Sequence, residues 1–158
     1  MRTGTVKKRP ATPDPVYQSV LLSQLINRVM RDGKKTLARR QVYQALDLVG
    51  KQSKENPLTV FEQAIENLQP NMEVRTRRIG GAAYQIPAPV RPERKTTLAL
   101  SWLVSSARSL PNNQYHNFYQ KLASEILAAQ KKEGAAMKKK DDIHRQAEAN
   151  KAFSHFRW

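Results

Sequence analysis

Beyond the first 15 residues the apolar residues of this chain recur at helical spacing, and that period gives way to another between Met72 and Val90. There Val74, Ile79, Tyr84 and Ile86 are strand formers arranged around Gly80-Gly81. Met72 to Ile79 and Ala83 to Val90 therefore read as a β-hairpin, with the glycines supplying positive φ at its turn. Pro87, Pro89 and Pro92 confine the second strand to an edge and are expected to keep it short. With no third strand in the chain to pair with, the hairpin must project from a helical body. The predicted fold class is mainly α, a single domain of about six helices with a protruding β-ribbon and a basic, extended N-terminal arm.

The helical stripes are explicit. Leu22, Leu25, Ile26 and Val29 mark a first helix, stopped by Asp32-Gly33. Ala38, Val42, Ala45, Leu46 and Val49 mark a second, with Gly50 near its end. Asn56-Pro57 opens a third, Asn as cap and Pro where no N–H is needed. Leu58, Phe61, Ala64, Ile65 and Leu68 form its apolar face, and Pro70 stops it. Leu98, Ala99, Trp102, Leu103 and Ala107 mark a fourth helix, broken by Leu110-Pro111-Asn112-Asn113, and Phe118, Leu122, Ile126 and Leu127 mark a fifth. Phe61, Trp102 and Phe118 read as core residues. The polar, alanine-rich segment from Glu133 to Phe153, anchored by Met137, Ile143 and Ala147, reads as a long surface helix that leaves the core. The expected organisation is a basic arm over 1–15, a helical domain over 16–153 that includes the hairpin at 72–90, and a tail over 154–158.

Charge narrows the function. The 158 residues carry 28 Lys+Arg against 13 Asp+Glu, a formal net charge of +15. Such an excess repels itself in a compact fold unless a polyanion takes it up. No cysteine is present, so disulfides, thiolate catalysis and Cys-ligated metals are excluded. No apolar run reaches the roughly 18 residues of a membrane span, and Met1 to Pro10 lacks an apolar secretory region, so a soluble, intracellular protein without a membrane partner is expected.

The positive residues are also grouped. Arg2, Lys7, Lys8 and Arg9 lie in the arm, where Pro10, Pro13 and Pro15 forbid a helix. Arg28, Arg31, Lys34, Lys35, Arg39 and Arg40 surround the first helix–helix turn, and Arg75, Arg77 and Arg78 stand on the ribbon. Arg91, Arg94 and Lys95 open the fourth helix, and Lys138-Lys139-Lys140 lies early in the last segment. The third helix, with Glu55, Glu62 and Glu66 and no basic residue, presents an acidic face. Three arginines within four positions cannot neutralise one another, and guanidinium forks match phosphate oxygens bidentately. Tyr84, Phe153, Phe156 and Trp158 accompany them and could stack on unpaired bases.

Catalytic signals are weak. Gly33-Lys34-Lys35-Thr36 looks like the end of a P-loop, but Arg28 stands where that motif needs Gly and Lys35 where it needs Ser or Thr. His144 and Glu148 could share a helix face, which favours a surface hydrogen bond over a metal site. No enzyme, cofactor or metal is expected.

Several long segments, in order, resemble the bacterial-type small-subunit ribosomal protein seven family essentially end to end. They are Asp14-Pro15-Val16-Tyr17, the run from Asn27 to Lys35, the run from Glu73 to Pro87 and the run from His144 to Trp158. The resemblance implies a structural constituent of the small ribosomal subunit that binds the 3′ major domain of its rRNA directly and nucleates assembly of the head. It also implies neighbouring head and platform proteins as partners, exit-site tRNA and messenger RNA nearby, and a place in bacterial cytoplasm, with an organelle ribosome as the alternative. Carried over by position, rRNA contacts fall on Arg2, Lys7, Lys8, Arg9, Arg28, Lys34, Lys35, Arg75, Arg77, Arg78, Arg91, Arg94, Lys95 and Arg108. Gly80, Gly81 and Tyr84 fall close to tRNA. The chain departs from its relatives at Ser101, where Arg is usual, and between Arg108 and Lys121, where an aromatic, amide-rich stretch replaces several basic residues. A DNA-binding architectural protein and an RNA-processing enzyme are the rival classes, distinguished by competition with duplex DNA and by turnover of RNA.

Overall fold

The computed structural model describes residues 11–156. Arg2, Lys7, Lys8 and Arg9, expected as rRNA contacts, and Trp158, expected as a stacking residue, lie outside them. Six α-helices are present among the described residues: α1 (Val20–Val29), α2 (Lys35–Ser53), α3 (Pro57–Leu68), α4 (Pro92–Ser109), α5 (Phe118–Gln130) and α6 (Ala135–Ala149). Strands β1 (Met72–Ile79) and β2 (Ala82–Pro89) separate α3 from α4, and a 3-10 helix over Lys151–Phe156 follows α6. The mainly helical body with a ribbon is the predicted class.

Local sequence explains most of the boundaries. Ser19 caps α1 by accepting from the Leu22 N–H at 3.4 Å, and Asn56 caps α3 by accepting from the Leu58 N–H at 3.0 Å ahead of Pro57. Asp32 and Gly33, at φ 51° and 71°, turn the chain between α1 and α2. Gly50 does not end α2, which runs to Ser53 before Lys54 takes the left-handed conformation at φ 59°.

Helix α5 is the hub, packed against α2, α3, α4 and α6. Every apolar residue expected on the first two stripes is buried, and Phe61, Ile65, Leu68, Leu103, Leu122 and Ile126 complete the core. Full burial of each large side chain contributes about 1.5–3 kcal/mol, enough here to hold a fold without staples. Trp102 and Phe118 are half-buried against the core's rim instead of lying inside it. Among the described residues no helix is long and apolar enough to cross a membrane.

The ribbon is a two-stranded antiparallel sheet that pairs Met72 with Pro89 and Ile79 with Ala82. Its two-residue turn places Gly80 and Gly81 at φ 56° and 91°, the positive signs a type I′ hairpin requires. The prolines do not shorten β2, which runs eight residues through Pro87 to Pro89. Standing two apart, they turn both ring nitrogens to the same outer edge, where no ladder bond is lost. The ribbon's base is packed, with Ile86, Ala88 and Val90 buried, whereas Arg75 to Arg78 and the tip are exposed.

The C-terminal segment differs from expectation. It does not leave the core: α6 folds back on α3, α4, α5 and the ribbon, and Ala136 and Ala147 are buried. The cause is a long-range cap. Buried Glu125 of α5 accepts from the Ala136 N–H at 2.7 Å, holding the first turn of α6 against the body. Gly134 makes the approach possible at φ 94°, where an added Cβ would stand 3.0 Å from the Ala128 Cβ and 3.1 Å from the Glu125 carboxylate. Gly134→Ala is expected to destabilise the fold by about 1–3 kcal/mol, read as a lower urea midpoint with an unchanged slope.

Candidate nucleic-acid interface

The basic groups are mounted on joints made by the few carboxylates. Asp14, at the root of the arm, is buried to 2% exposure. It accepts from the Val16 and Tyr17 N–H groups, both at 3.2 Å, and from the Tyr43 hydroxyl at 2.8 Å, with Arg39 of α2 at 4.0 Å. The anchored body thus begins at Asp14, slightly before the expected boundary at Val16, and the arm leaves it from a fixed point on α2. Burial pushes the Tyr43 phenol up to about 12, helped by its hydrogen bond to the Asp14 carboxylate.

At the first turn, Arg28, Arg31, Lys34 and Lys35 are all exposed. Arg108 reaches back from the end of α4 and donates to the Val29 carbonyl at 3.0 Å, capping the last residue of α1. Burial lowers the pKa of its guanidinium, and the repulsion of Arg31 and Arg28 lowers it further. These three cations converge without an ion pair among the described residues. Lys121, absent from the sequence reading as a positioning group, is buried and donates to the Leu110 carbonyl and to Asn112 Oδ1 at 2.7 Å. It fixes the connection between α4 and α5. The aromatic residues of that connection mainly pack: the Tyr115 and Ser124 hydroxyls are 2.9 Å apart, and Tyr119 donates its N–H to Gln41.

The ribbon arginines are not equivalent. Glu73 holds Arg75 through a 2.7 Å hydrogen bond from Nε and reaches Arg94 of α4 at 3.4 Å. Lys95 donates to Asn71 at 2.9 Å, so two of the three cations at the entrance to α4 brace the ribbon's base, and Arg91 stands exposed beside them. Arg77 and Arg78 are exposed without an ion pair among the described residues. The three arginines do not neutralise one another, but Glu73 neutralises one of them, Arg75. The alternation of a strand puts residues 73 and 75 on one face, and that spacing was the missed signal. Tyr84 is not an open stacking platform, because Phe153 and Phe156 cover it with ring centroids at 5.4 and 5.7 Å.

The remaining sequence candidates are structural. His144 accepts from the Asn71 N–H at 3.1 Å, tying α6 to the start of the ribbon. Lys139 donates to Ser105 at 2.7 Å and Lys140 to the Asn67 carbonyl near the end of α3, so only Lys138 of the triple lysine projects freely. In the P-loop-like turn, the Lys34 and Lys35 N–H groups are bonded to Arg31 and Gly33 carbonyls.

The model of the ribosomal protein S7p/S5e family matches residues 1–151. The chain belongs to that family. It is similar to proteins named small ribosomal subunit protein uS7, at 51% identity over 158 residues in Thermotoga maritima, spanning 100% of both chains. In Synechocystis sp. the identity is 55% over 157 residues, 99% of each chain. Family membership makes the chain a structural, non-enzymatic ribosomal protein.

The Asp14–Tyr43 joint has a pH signature. An exposed phenol ionises near 10, whereas Tyr43 holds its proton to about 12. Between those values the unfolded chain binds fewer protons, so stability falls as pH rises. The stability advantage of wild type over Tyr43→Phe is expected to be complete below about pH 10 and to shrink as pH approaches 12, measured by urea unfolding at each pH.

Proposed function

We propose that this chain is a structural constituent of the small ribosomal subunit that binds the 3′ major domain of its rRNA directly, nucleates assembly of the head and lies near exit-site tRNA and the messenger exit. The observation that carries the reading is the segregation of charge. Exposed cations without an ion pair among the described residues stand at the α1–α2 turn and on the ribbon, while Asp14, Glu73 and Glu125 are engaged in joints and Asp32 is the one carboxylate left exposed at the turn. Cations on separate elements can clamp distant RNA segments into one junction geometry, which is how a binder without chemistry starts assembly. Phosphate contacts fix position, and RNA shape supplies specificity. Full-length similarity to bacterial small-subunit proteins supports the ribosome of bacterial cytoplasm as the place of action. The projecting Gly80-Gly81 tip, thin enough to reach a second RNA, supports a position close to tRNA.

The test is binding to a 3′-domain rRNA fragment across a salt series. Replacing Arg77 and Arg78 together by Ala is expected to weaken binding and to reduce the salt slope by roughly 0.7–0.9 per lost phosphate contact. Arg75→Ala, whose cation already faces Glu73, is expected to change the slope less. Equal effects at all three positions would reject the assignment of the phosphate contacts to the unpaired arginines. Competition by duplex DNA at equal affinity would favour a DNA-binding protein.

A further inference from the structure

A groove of about 540 Å³ lies between the α1–α2 turn and the α4–α5 connection. Its apolar floor is Val29, Leu37, Ala38 and the ring of Phe118. Leu37 is 54% exposed, a large aliphatic side chain left open to solvent at the mouth of a strongly cationic region. Such a floor does nothing for a phosphate, whose oxygens need only donors. It suits a flat ring.

The polar rim is selective in a second way. Gln41 uses its Oε1 to accept from the Tyr119 N–H at 3.2 Å, and Asn112 uses its Oδ1 to accept from Lys121 at 2.7 Å. Both amides therefore offer their NH₂ groups as donors. Arg31, Lys34 and Arg108 add further donors, and Arg108 is held in place by the Val29 carbonyl. Asp32 is the one carboxylate on the rim. At one end, α2 opens after Lys34 with no side-chain cap and no acid in its first turn. The Lys34 and Lys35 N–H groups are taken by the Arg31 and Gly33 carbonyls, so the N–H groups of Thr36 and Leu37 and the Lys34 ammonium are the ones that favour an anion.

We propose that this groove binds a single unstacked nucleotide with a keto base, guanine or uracil, its phosphate at the opening of α2 and its ring on Leu37 and Phe118. Guanine and uracil each carry a ring carbonyl beside an imino N–H. The donor-rich rim meets the carbonyl, and the Asp32 carboxylate meets the N–H. Adenine and cytosine carry an amine where guanine and uracil carry the O6 or O4 carbonyl, and a bare ring nitrogen in place of the imino N–H, which sets donor against donor at the rim and acceptor against acceptor at Asp32. The inference rests on the RNA-binding reading above and adds to it a base-recognising position, in the stretch where this chain carries amides and aromatics.

The full chain is titrated by NMR with GMP, UMP, AMP, CMP and inorganic phosphate, following backbone amides at Leu37, Gln41, His116 and Phe118. GMP and UMP are expected to shift these signals at concentrations several-fold below those needed by AMP, CMP or phosphate. Equal responses to all five mean a plain phosphate site and overturn the proposal, as does the absence of any response. The second arm uses the 3′-domain rRNA fragment. Leu37→Asn, an exposed change that leaves the core intact, is expected to weaken binding about five- to tenfold, the scale of one lost stacking contact, with the salt slope unchanged. Unaltered binding by Leu37→Asn overturns the groove while the wider RNA reading stands. Failure of the wild-type chain to bind the fragment overturns the wider reading instead.

Discussion

The scarcity of carboxylates governs this structure. With 13 acids against 28 cations, most positive groups cannot find an internal partner, and every close approach of two helices risks repulsion. Three of the acids stand where an element must be attached. Asp14 fastens the root of the arm to α2, Glu73 ties β1 to the entrance of α4, and Glu125 caps α6 from inside α5. Two of these are almost fully buried, an arrangement tolerable only because each carboxylate accepts short hydrogen bonds. Removing one leaves an unsatisfied donor and detaches an element, so its effect is larger than that of a surface ion pair.

The same scarcity leaves the binding surface charged. Where a carboxylate is spared, as at Arg77, Arg78 and the trio Arg28, Arg31 and Arg108, the cation remains ready for phosphate. Where one is provided, as for Arg75 and Arg94, the cation stiffens the ribbon. Adjacent arginines of one motif thus divide between support and contact. A rigid base matters here because an arginine held in place loses less freedom on binding than one on a mobile hairpin.

The helices were legible in the sequence because their stripes are local. Leu22 to Val29 and Ala38 to Val49 fall on single faces, Asn56-Pro57 marks a cap, and Gly80-Gly81 admits one tight turn. The return of α6 was not legible, because it depends on Glu125 meeting Ala136 across a turn that only Gly134 permits. Polarity alone made that helix look solvated. The Asp14–Tyr43 joint and the buried Lys121 were hidden for the same reason: each joins residues whose proximity exists only after the core has closed. At the site, the positions of the cations could be read, but their pairing could not. That distinction separates Arg75 from Arg77.

The ribbon and the C-terminal segment then form one mechanical unit. His144 accepts from the N–H of Asn71, whose carbonyl in turn accepts from the Val90 N–H, so α6 grips both strands at their base. Farther out, Phe153 and Phe156 close over Tyr84, directly across the ladder from Arg77. Burial and the nearby Lys140 both push the His144 imidazole below its ordinary value, with Asp141 opposing them. The neutral ring is the form that accepts from Asn71, so this grip is complete above about pH 6.5 and is lost as pH falls through the lowered folded value. A segment that reads in the sequence as a surface helix leaving the core is therefore a brace, and the ribbon that presents Arg77 and Arg78 is held from α6 as well as from α4.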